Sequence, residues 1–452
     1  MLSTYALADK LKGRVISPDD ADYDKARTVF YGSIDRHPAA IARVADADDV
    51  ARVIAHAREC DLQLAVRGGG HSPAGHGVTD GGVVIDLSEM RGLEIDPATR
   101  TAWAEGGVTA GRYTAGAGEH GMATGFGDTG SVGVAGITLS GGVGFLVRKH
   151  GLTIDSLLAA EVVTADGEVV HTDADNHPDL FWAIRGGGGN FGVATRLKFR
   201  LHELDTVVGG MLILPATPDV IEGFVTESFA APDELSAIGN VMKAPPMPFL
   251  PPEVHGRLVV MALMAYAGDT DAGVKVVDRF RALAEPMADM IRPMPYPEIY
   301  PPEQEDYRPV AVAKTMFANG IGPAKAETIV ERIGVSSAMM AVTQIRVLGG
   351  AMAAVPTDAT AFAHRQSRMM LNVAAMYERP EERAEHEAWV DGLAARLRDG
   401  DDGAYVGFLA DEGEERVRAA YPGATWDRLA AVKATYDPDN LFRMNQNIPP
   451  TG

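Results

Sequence analysis

Short apolar segments separated by glycine dominate the first 204 residues of the chain. Residues 61–66 and 82–87 are apolar runs of strand length, bounded by turn residues. Asp46, Asp48 and Asp49 stand before a segment of helical period and predict its N-cap and first turn. Strands and helices therefore mix here without the regular alternation of a doubly wound sheet, which favours an α+β fold.

The pattern changes near residue 205, where longer strand-like segments begin to alternate with helical ones. The predicted strands are residues 207–214, 235–243, 256–266, 339–348 and 369–376, and the predicted helices are residues 219–229, 272–284, 324–333 and 380–397. Long strands with helices between them predict a mainly antiparallel sheet covered by helices on one face. We interpret the proline-rich segments 245–252 and 293–302 as loops or rims.

Composition and charge restrict the classes of function. The net charge of −21 argues against nucleic acid and anionic membrane surfaces as partners. Cys60 is the single cysteine, which excludes a disulfide framework and a cysteine-rich metal site, and we expect it to be a buried structural thiol. No paired-histidine metal spacing and no serine-hydrolase motif occurs, so we expect no metal.

Hydropathy gives no sign of export or of a membrane span. Residues 1–14 lack an apolar core of signal-peptide length. The longest apolar run, residues 258–267, is far shorter than the roughly 20 residues of a spanning helix. We expect a cytoplasmic protein that is a monomer or a homodimer.

Three glycine-rich segments carry the chemical signal. Residues 67–72 read Arg-Gly-Gly-Gly-His-Ser, and consecutive glycines let the backbone approach a ligand and present its N–H groups to it. Taken alone, this segment favours a turn with an incidental histidine, and two further segments reverse that preference. Residues 125–144 contain eight glycines among apolar residues that favour burial, which indicates backbone packed against something large and flat. The third segment is residues 181–192.

A nucleotide-binding Rossmann motif does not explain these glycines. The spacing G-x-G-x-x-G occurs at residues 125–130 and 187–192. That fingerprint requires a strand before it and a helix after it. Residues 119–124 do not resemble a buried strand, and residues 187–192 lead into a strand rather than a helix. No P-loop sequence is present either.

Together these segments resemble the berberine-bridge-enzyme-like branch of the vanillyl-alcohol-oxidase superfamily, which has a PCMH-type FAD-binding fold. Within it the chain is most similar to the bacterial 6-hydroxynicotine-oxidase type. The matching segments are residues 67–71, 128–136, 141–144, 151–155, 180–192, 436–443 and 445–448. They occur in the family's order, and the resemblance extends from about residue 15 to the last residues.

The resemblance implies two domains and a flavin cofactor. Residues 1–204 would form the FAD-binding domain, residues 205–403 an inserted substrate-binding domain, and residues 404–452 a berberine-like segment that returns to the first. The residues it assigns to FAD are Arg67, Gly68, Gly69, Gly70, His71, Ser72, Thr129, Gly130, Ser131, Val132, Gly133, Gly136, Gly141, Gly142, Gly144, Gly192, Val193, Tyr405, Asn445 and Asn447.

The resemblance also implies that His71 is bonded covalently to the 8α carbon of the flavin. A neutral imidazole nitrogen is a competent nucleophile at pH 7. Thr129 occupies the position where many relatives place a cysteine that forms a second bond, so we expect a single bond here. His76 is the competing histidine, although it does not directly follow the glycines.

Four residues are candidates for the chemistry itself. Val132 matches a gate beside the flavin that admits oxygen in oxidases, or it is a plain core valine. Tyr405 matches a tyrosine near the flavin, but Gly407 stands where the family usually has asparagine, and a core aromatic is the alternative. Gln344 and Arg346 alternate with Ile345 and share one strand face, which faces either the flavin or solvent. Two tyrosines, Tyr266 and Tyr377, are weaker candidates.

The favoured function is an FAD-dependent oxidase. It would remove a hydride from a C–H bond next to oxygen or nitrogen in a small alcohol, sugar or amine and pass the electrons to O2, giving H2O2. The alternatives are a dehydrogenase or oxidative-cyclisation enzyme of the same fold, and a flavin-binding protein with a degenerate site, which Gly407 favours slightly. Covalent flavin and peroxide release would separate these possibilities.

Overall fold

The computed structural model describes residues 7–301, 307–400 and 402–451. Its strands are β1 (Arg14–Ile16), β2 (Ala40–Arg43), β3 (Leu64–Arg67), β4 (Val83–Asp86), β5 (Leu93–Asp96), β6 (Thr101–Glu105), β7 (Met122–Ala123), β8 (Leu157–Val163), β9 (Val169–Asp173), β10 (Val193–Arg200), β11 (His202–Glu203), β12 (Thr206–Pro215), β13 (Leu235–Lys243), β14 (Leu258–Tyr266), β15 (Ala288–Asp289), β16 (Arg292–Pro295), β17 (Ala311–Ala318), β18 (Met340–Val347) and β19 (Met369–Met376).

The α-helices follow the same order along the chain. They are α1 (Tyr23–Arg27), α2 (Ala47–Glu59), α3 (Ala110–Gly118), α4 (Val134–Leu139), α5 (Val147–His150), α6 (Pro178–Ile184), α7 (Pro218–Ala230), α8 (Thr270–Arg281), α9 (Pro323–Gly334), α10 (Ala351–Ala354), α11 (Arg383–Leu397), α12 (Glu414–Ala420) and α13 (Ala424–Tyr436). No helix of the described residues has the length and apolarity that a membrane crossing requires.

Two sheets are built from the first 200 residues. The first has the order β1-β2-β4-β3, with β4 parallel to both β2 and β3. The second is antiparallel with the order β5-β6-β10-β8-β9. The carboxylate of Asp46 accepts a hydrogen bond from the Asp49 N–H (3.1 Å), so the predicted cap of α2 is confirmed. The first glycine-rich segment leaves the carboxyl end of β3.

The largest sheet of the described residues has eight strands in the order β15-β12-β14-β13-β18-β19-β17, with β16 also pairing with β12. Its pairs are antiparallel, and α7, α8, α9 and α11 pack on one face, as expected. Alternation along β18 assigns the faces: Ile345 packs with the helices, whereas Gln344 and Arg346 point the other way. That second face is turned toward the glycine-rich segments.

Three sequence expectations need correction. Strand β17 was not predicted, because Ala311–Ala318 is rich in alanine and carries Lys314, so its alternation is weak. The segment 293–302 was expected to be a loop, but Arg292–Pro295 is a strand, and its prolines are tolerated because β16 lies at the sheet edge. Residue 302 lies outside the described residues. Cys60 is half-buried rather than buried, with its sulfur 3.9 Å from His56 Nδ1.

The C-terminal segment is bonded to the third glycine-rich segment. The Lys433 ammonium is fully buried and donates to the carbonyl of Asn190 (2.7 Å) and to the carboxylate of Asp437 (2.6 Å). The Asn190 side chain in turn accepts from the N–H of Ile448 (3.0 Å). Residues more than 240 positions apart in the sequence therefore share one buried polar cluster. The domain boundaries themselves stay a prediction.

Candidate active site

The first two glycine-rich segments touch through their backbones. A Cβ atom on Gly69 would lie 2.3 Å from the amide nitrogen of Gly133, and one on Gly133 would lie 2.3 Å from that of Gly69. No side chain fits at either position. Gly70 has φ = +72°, a conformation that favours glycine. The predicted cofactor loops 67–72 and 129–133 are thus brought together as one surface.

His71 lies at this contact, stacked on an aromatic ring. The centroids of the His71 and Phe30 rings are 4.1 Å apart, with 22° between the planes. Burial and the nearby Arg308 lower the pKa of His71 to about 4, and a hydrogen bond to the backbone of Ser131 only partly opposes this shift. The imidazole is therefore neutral at pH 7, which leaves a lone pair on one ring nitrogen.

A buried ion pair anchors the loop that carries His71. The Arg67 guanidinium donates to the Asp86 carboxylate (2.9 Å), and their side chains are 7% and 2% exposed. Burial alone would raise the pKa of Asp86, but Arg67 and hydrogen bonds from Ser88 lower it below its ordinary value. Arg67 therefore has a structural role at the base of the loop.

Tyr405 is buried against the end of the second glycine-rich segment. Its hydroxyl accepts a hydrogen bond from the N–H of Gly142 (3.1 Å). Burial raises the pKa of Tyr405 to about 12, although this N–H and the charge of Arg346 act in the opposite direction. A Cβ on Gly407 would lie 2.8 Å from the Tyr405 ring, so a side chain at position 407 would require this ring to shift.

Arg346 crosses from the large sheet to the second glycine-rich segment. Its guanidinium donates to the carboxylate of Asp128 (2.6 Å) and to the side-chain oxygen of Gln344 (2.8 Å). Gln344 donates in turn to Asn240 on the neighbouring strand (2.9 Å). Arg346 is only 4% exposed and lies 5.1 Å from the centre of the Phe408 ring. A solvated strand face is therefore wrong for Arg346.

The segment from Asp128 to Gly133 connects these groups. Asp128 binds Arg346, and the backbone of Ser131, three residues later, faces His71. Val132 follows directly and is half-buried, and its carbonyl accepts from the N–H of Ala110 (2.9 Å). The carbonyl of Gly130 accepts similarly from Gly111. The candidate tether and the candidate polar residues thus meet on one short stretch of chain.

Other predicted residues have mainly structural contacts. A Cβ on Gly144 would lie 1.4 Å from the carbonyl oxygen of Phe126, and one on Gly192 would lie 2.6 Å from that of Val163. Val193 pairs with Val163 in the ladder between β8 and β10. Open space surrounds the position of a Cβ on Gly136.

Neighbouring side chains complete the account of the predicted set. Gly68 adjoins Gly106, where a Cβ would lie 3.2 Å from a carbonyl oxygen, and Gly141 adjoins Phe362 at 3.0 Å. The hydroxyl of Ser72 accepts from the N–H of His76 at 3.4 Å, and that of Thr129 donates to Asp128 at 3.4 Å.

The two weaker tyrosine candidates were wrong. Tyr266 belongs to the helix-covered face of the sheet, where a Cβ on Gly273 of α8 would lie 2.7 Å from its ring. Tyr377 is buried beside His386 of α11, with ring centroids 5.3 Å apart. Neither residue faces the glycine-rich segments.

Sequence reasoning missed the residues that support the site. Phe30 carries no signal, because it stands far from His71 in sequence and belongs to no motif. Asp128 was part of a matched segment but received no role. Asn240 and Asn190 act through contacts that only the folded chain forms.

The residues present fit a bound FAD. The contact of Gly69 with Gly133 forms a side-chain-free backbone surface, which suits a large cofactor that packs on N–H groups. The Oδ1 atoms of Asn445 and Asn447 are buried without a hydrogen-bond partner among the described residues, so a ligand with N–H or O–H groups would satisfy them. Asn445 itself is held by the carbonyl of Gly189 (3.1 Å).

Comparisons with known proteins agree with this fit. Residues 38–173 match the family described as FAD binding domain, and residues 404–449 match that described as berberine and berberine like. The chain is 31% identical to (R)-6-hydroxynicotine oxidase of Paenarthrobacter nicotinovorans over 469 residues, covering 100% of both.

Solved structures share the fold over the same extent. The structure of 6-hydroxy-D-nicotine oxidase from Arthrobacter nicotinovorans matches with a TM-score of 0.88 and 29% identity, over 98% of each chain. Glucooligosaccharide oxidase from Acremonium strictum, described with a 6-S-cysteinyl, 8α-N1-histidyl FAD, matches with a TM-score of 0.85 and 24% identity, over 99% of this chain and 98% of that one. The chain belongs to the berberine-bridge-enzyme-like family and is an FAD-linked oxidoreductase.

Proposed function

We propose that the protein is an oxidase that removes a hydride from a C–H bond next to oxygen or nitrogen in a small alcohol, sugar or amine. Dioxygen is the electron acceptor and hydrogen peroxide the second product. The observation that carries this proposal is the convergence of His71, Arg346 and Tyr405 around residues 128–142. A cofactor tether, a cation and a proton-transfer group thereby share one site.

The tether in this proposal is a single bond from His71. When bound, FAD supplies the hydride acceptor and the route for electrons to dioxygen. His71 is neutral, stacked and adjacent to the glycine surface, which supports this role. Thr129 has no thiol that could form a second bond. Cys60 lies at the C-terminal end of α2, where its backbone N–H donates to the carbonyl of His56.

Proton transfer is assigned to Tyr405 with help from Arg346. A phenol whose pKa is about 12 is protonated at pH 7, so it can act as a base only where neighbouring groups stabilise its phenolate form. The Gly142 N–H and the Arg346 charge both stabilise the phenolate, which lowers the cost of accepting a proton from the substrate. Gln344 and Asn240 continue this polar row along the sheet and would orient polar groups of the substrate.

The same proposal divides the chain into a discontinuous FAD-binding domain, residues 1–204 and 404–452, and an inserted substrate-binding domain, residues 205–403. Two features support it. The eight-stranded sheet is formed from residues 206–376 alone, and the C-terminal cluster of Lys433 and Asp437 bonds to Asn190.

Purified protein tests the proposed function directly. The pellet after acid precipitation should remain yellow, because covalently bound flavin cannot wash out. A panel of small alcohols, sugars and amines should then reveal a substrate that releases hydrogen peroxide in air. Flavin reduction by a substrate without peroxide release, but with turnover on an artificial electron acceptor, would identify a dehydrogenase instead.

A further inference from the structure

We infer that Phe30 is a positioning residue that sets the His71 ring for attachment to the flavin. This inference rests on the proposed covalent bond and concerns a residue outside every glycine-rich segment. The Phe30 and His71 rings are stacked at 4.1 Å and 22°. The stack fixes the plane of the imidazole, which rotation about its two side-chain torsions would otherwise leave free.

Two further contacts fix what the stack leaves open. The N–H of Phe30 donates to the carbonyl of Gly70 (3.1 Å), so the backbone just before His71 is held by the same residue that supports its ring. The Ser131 backbone faces the imidazole and raises its pKa, against the larger effect of burial. The ring plane, the preceding backbone and one side of the ring are therefore each constrained by a separate neighbour.

The remaining surroundings of Phe30 indicate that this is more than ordinary core packing. Phe30 is half-buried, not a core residue. Its other aromatic neighbours, Tyr31 and Tyr307, contact it in a T-shaped geometry at 5.1 Å and 6.1 Å between ring centroids. Of these three rings, His71 is the one that stacks on Phe30. The ring thus lies where it constrains His71 most directly.

Attachment requires this orientation because a single ring nitrogen must reach a single carbon. His71 forms an N–C bond to the 8-methyl carbon of the flavin, and one C–H bond of that methyl group and the imidazole N–H are lost. The two protons and two electrons released pass to dioxygen, which becomes hydrogen peroxide. A misplacement of about 1 Å can cost on the order of a hundredfold in such a reaction. Loss of the stack should therefore slow bond formation without preventing FAD from binding.

The experiment follows attachment in cells during a short induction. Intact-mass measurement of denatured protein gives the fraction of chains that carry FAD at successive times, and gel filtration of native protein gives total bound flavin. The variants are Phe30→Leu, which keeps apolar volume without the ring, and Phe30→Tyr, which keeps the ring. His71→Ala sets the zero of covalent attachment, and Tyr307→Leu removes an edge-on neighbour of Phe30 as a matched control.

We expect Phe30→Leu to slow attachment on the order of tenfold while total bound flavin and the Tm stay near those of the wild type. Phe30→Tyr and Tyr307→Leu should attach FAD at close to the wild-type rate. Attachment at the wild-type rate in Phe30→Leu would overturn the positioning role of Phe30 but not the proposed covalent bond. Equal slowing in Phe30→Tyr or Tyr307→Leu would have the same meaning. Absence of covalent flavin from the wild type would overturn the proposed bond, and this inference with it.

Discussion

At the scale of single residues, the surroundings of His71 keep its imidazole neutral, as the proposed bond to the flavin requires. Burial keeps its pKa near 4, far below neutral pH, so nearly every copy has a free ring nitrogen. His76 shares this property, since burial also lowers its pKa to about 4. The difference between the two histidines is position: His71 adjoins the glycine contact and the Phe30 ring.

The tether can be tested by comparing these histidines. His71→Ala should release all flavin on acid precipitation, while His76→Ala should keep it in the pellet, because the proposed bond is formed by His71. Flavin absorbance of supernatant and pellet measures the outcome. Retention of flavin by precipitated His71→Ala, or a second flavin–protein bond in the wild type, contradicts the assignment.

Val132 is the residue at which we expect oxygen reactivity to be set. Its backbone is held by Ala110, so an added methylene cannot easily be absorbed by a shift of the chain. Val132→Leu should slow flavin reoxidation by O2 about tenfold, equivalent to about 1.4 kcal/mol, and leave reduction by substrate nearly unchanged. Stopped-flow measurement of both half-reactions decides this; equal slowing of both would remove the gate role.

Tyr405 should show the opposite division between the half-reactions. Tyr405→Phe removes the proposed proton-transfer group and should slow reduction by about a hundredfold or more, with reoxidation largely intact. It also leaves the Gly142 N–H without its acceptor, which costs about 1–3 kcal/mol of stability. The Tm should therefore be measured beside the rates. A variant that is destabilised yet reduced at the wild-type rate would leave Tyr405 a structural role only.

At the scale of elements, the contact between two glycine-rich loops is the feature most sensitive to change. A methyl group on Gly69 would meet backbone atoms of Gly133, which cannot rotate away as a side chain would. Gly69→Ala should therefore separate the loops and abolish FAD binding. Gly320→Ala is the matched control, because no described residue apart from its chain neighbours has an atom within 4 Å of its Cβ position. Flavin content and Tm of both variants test this; FAD retention by Gly69→Ala would refute it.

The elements also indicate what sequence patterns can and cannot reveal. Residues 235–243 and 369–376 were predicted to the residue, because both segments are mostly apolar and each is followed within four residues by proline. Strand β17 was missed because alanine and Lys314 blur its alternation, and Arg292–Pro295 was missed because proline argues against strands except at an edge.

For the site, local motifs predicted the glycine surface but not its partners. His71 and its glycines adjoin in sequence, so their pattern is readable there. The contacts of Phe30 with His71 and of Asp128 with Arg346 join distant segments, and each partner alone is an ordinary residue. Such pairs become visible only when the strands bring them together.

At the scale of the whole molecule, Lys433 ties the C-terminal segment to the third glycine-rich segment. Lys433→Met keeps the volume but strands the buried Asp437 carboxylate, which should destabilise the fold by about 3–5 kcal/mol. Arg383→Met removes an exposed partner of Glu387 at the same helical spacing and should cost at most about 0.5 kcal/mol. Denaturant unfolding of both variants provides the comparison, and similar losses of unfolding free energy would contradict this stabilising role of Lys433.

The bond between Lys433 and Asn190 also sets the order in which parts of the protein can fold during its synthesis. Lys433 and Asn190 are 243 positions apart, and ribosomes add about 5–20 residues per second, so roughly 12–49 s separate the appearance of the two partners. During that interval the strands and glycine-rich loops before residue 193 lack their contacts with the C-terminal segment. The flavin pocket can therefore be completed only when translation is nearly finished. A chain that stops before residue 433 cannot complete the pocket, however well its earlier parts fold.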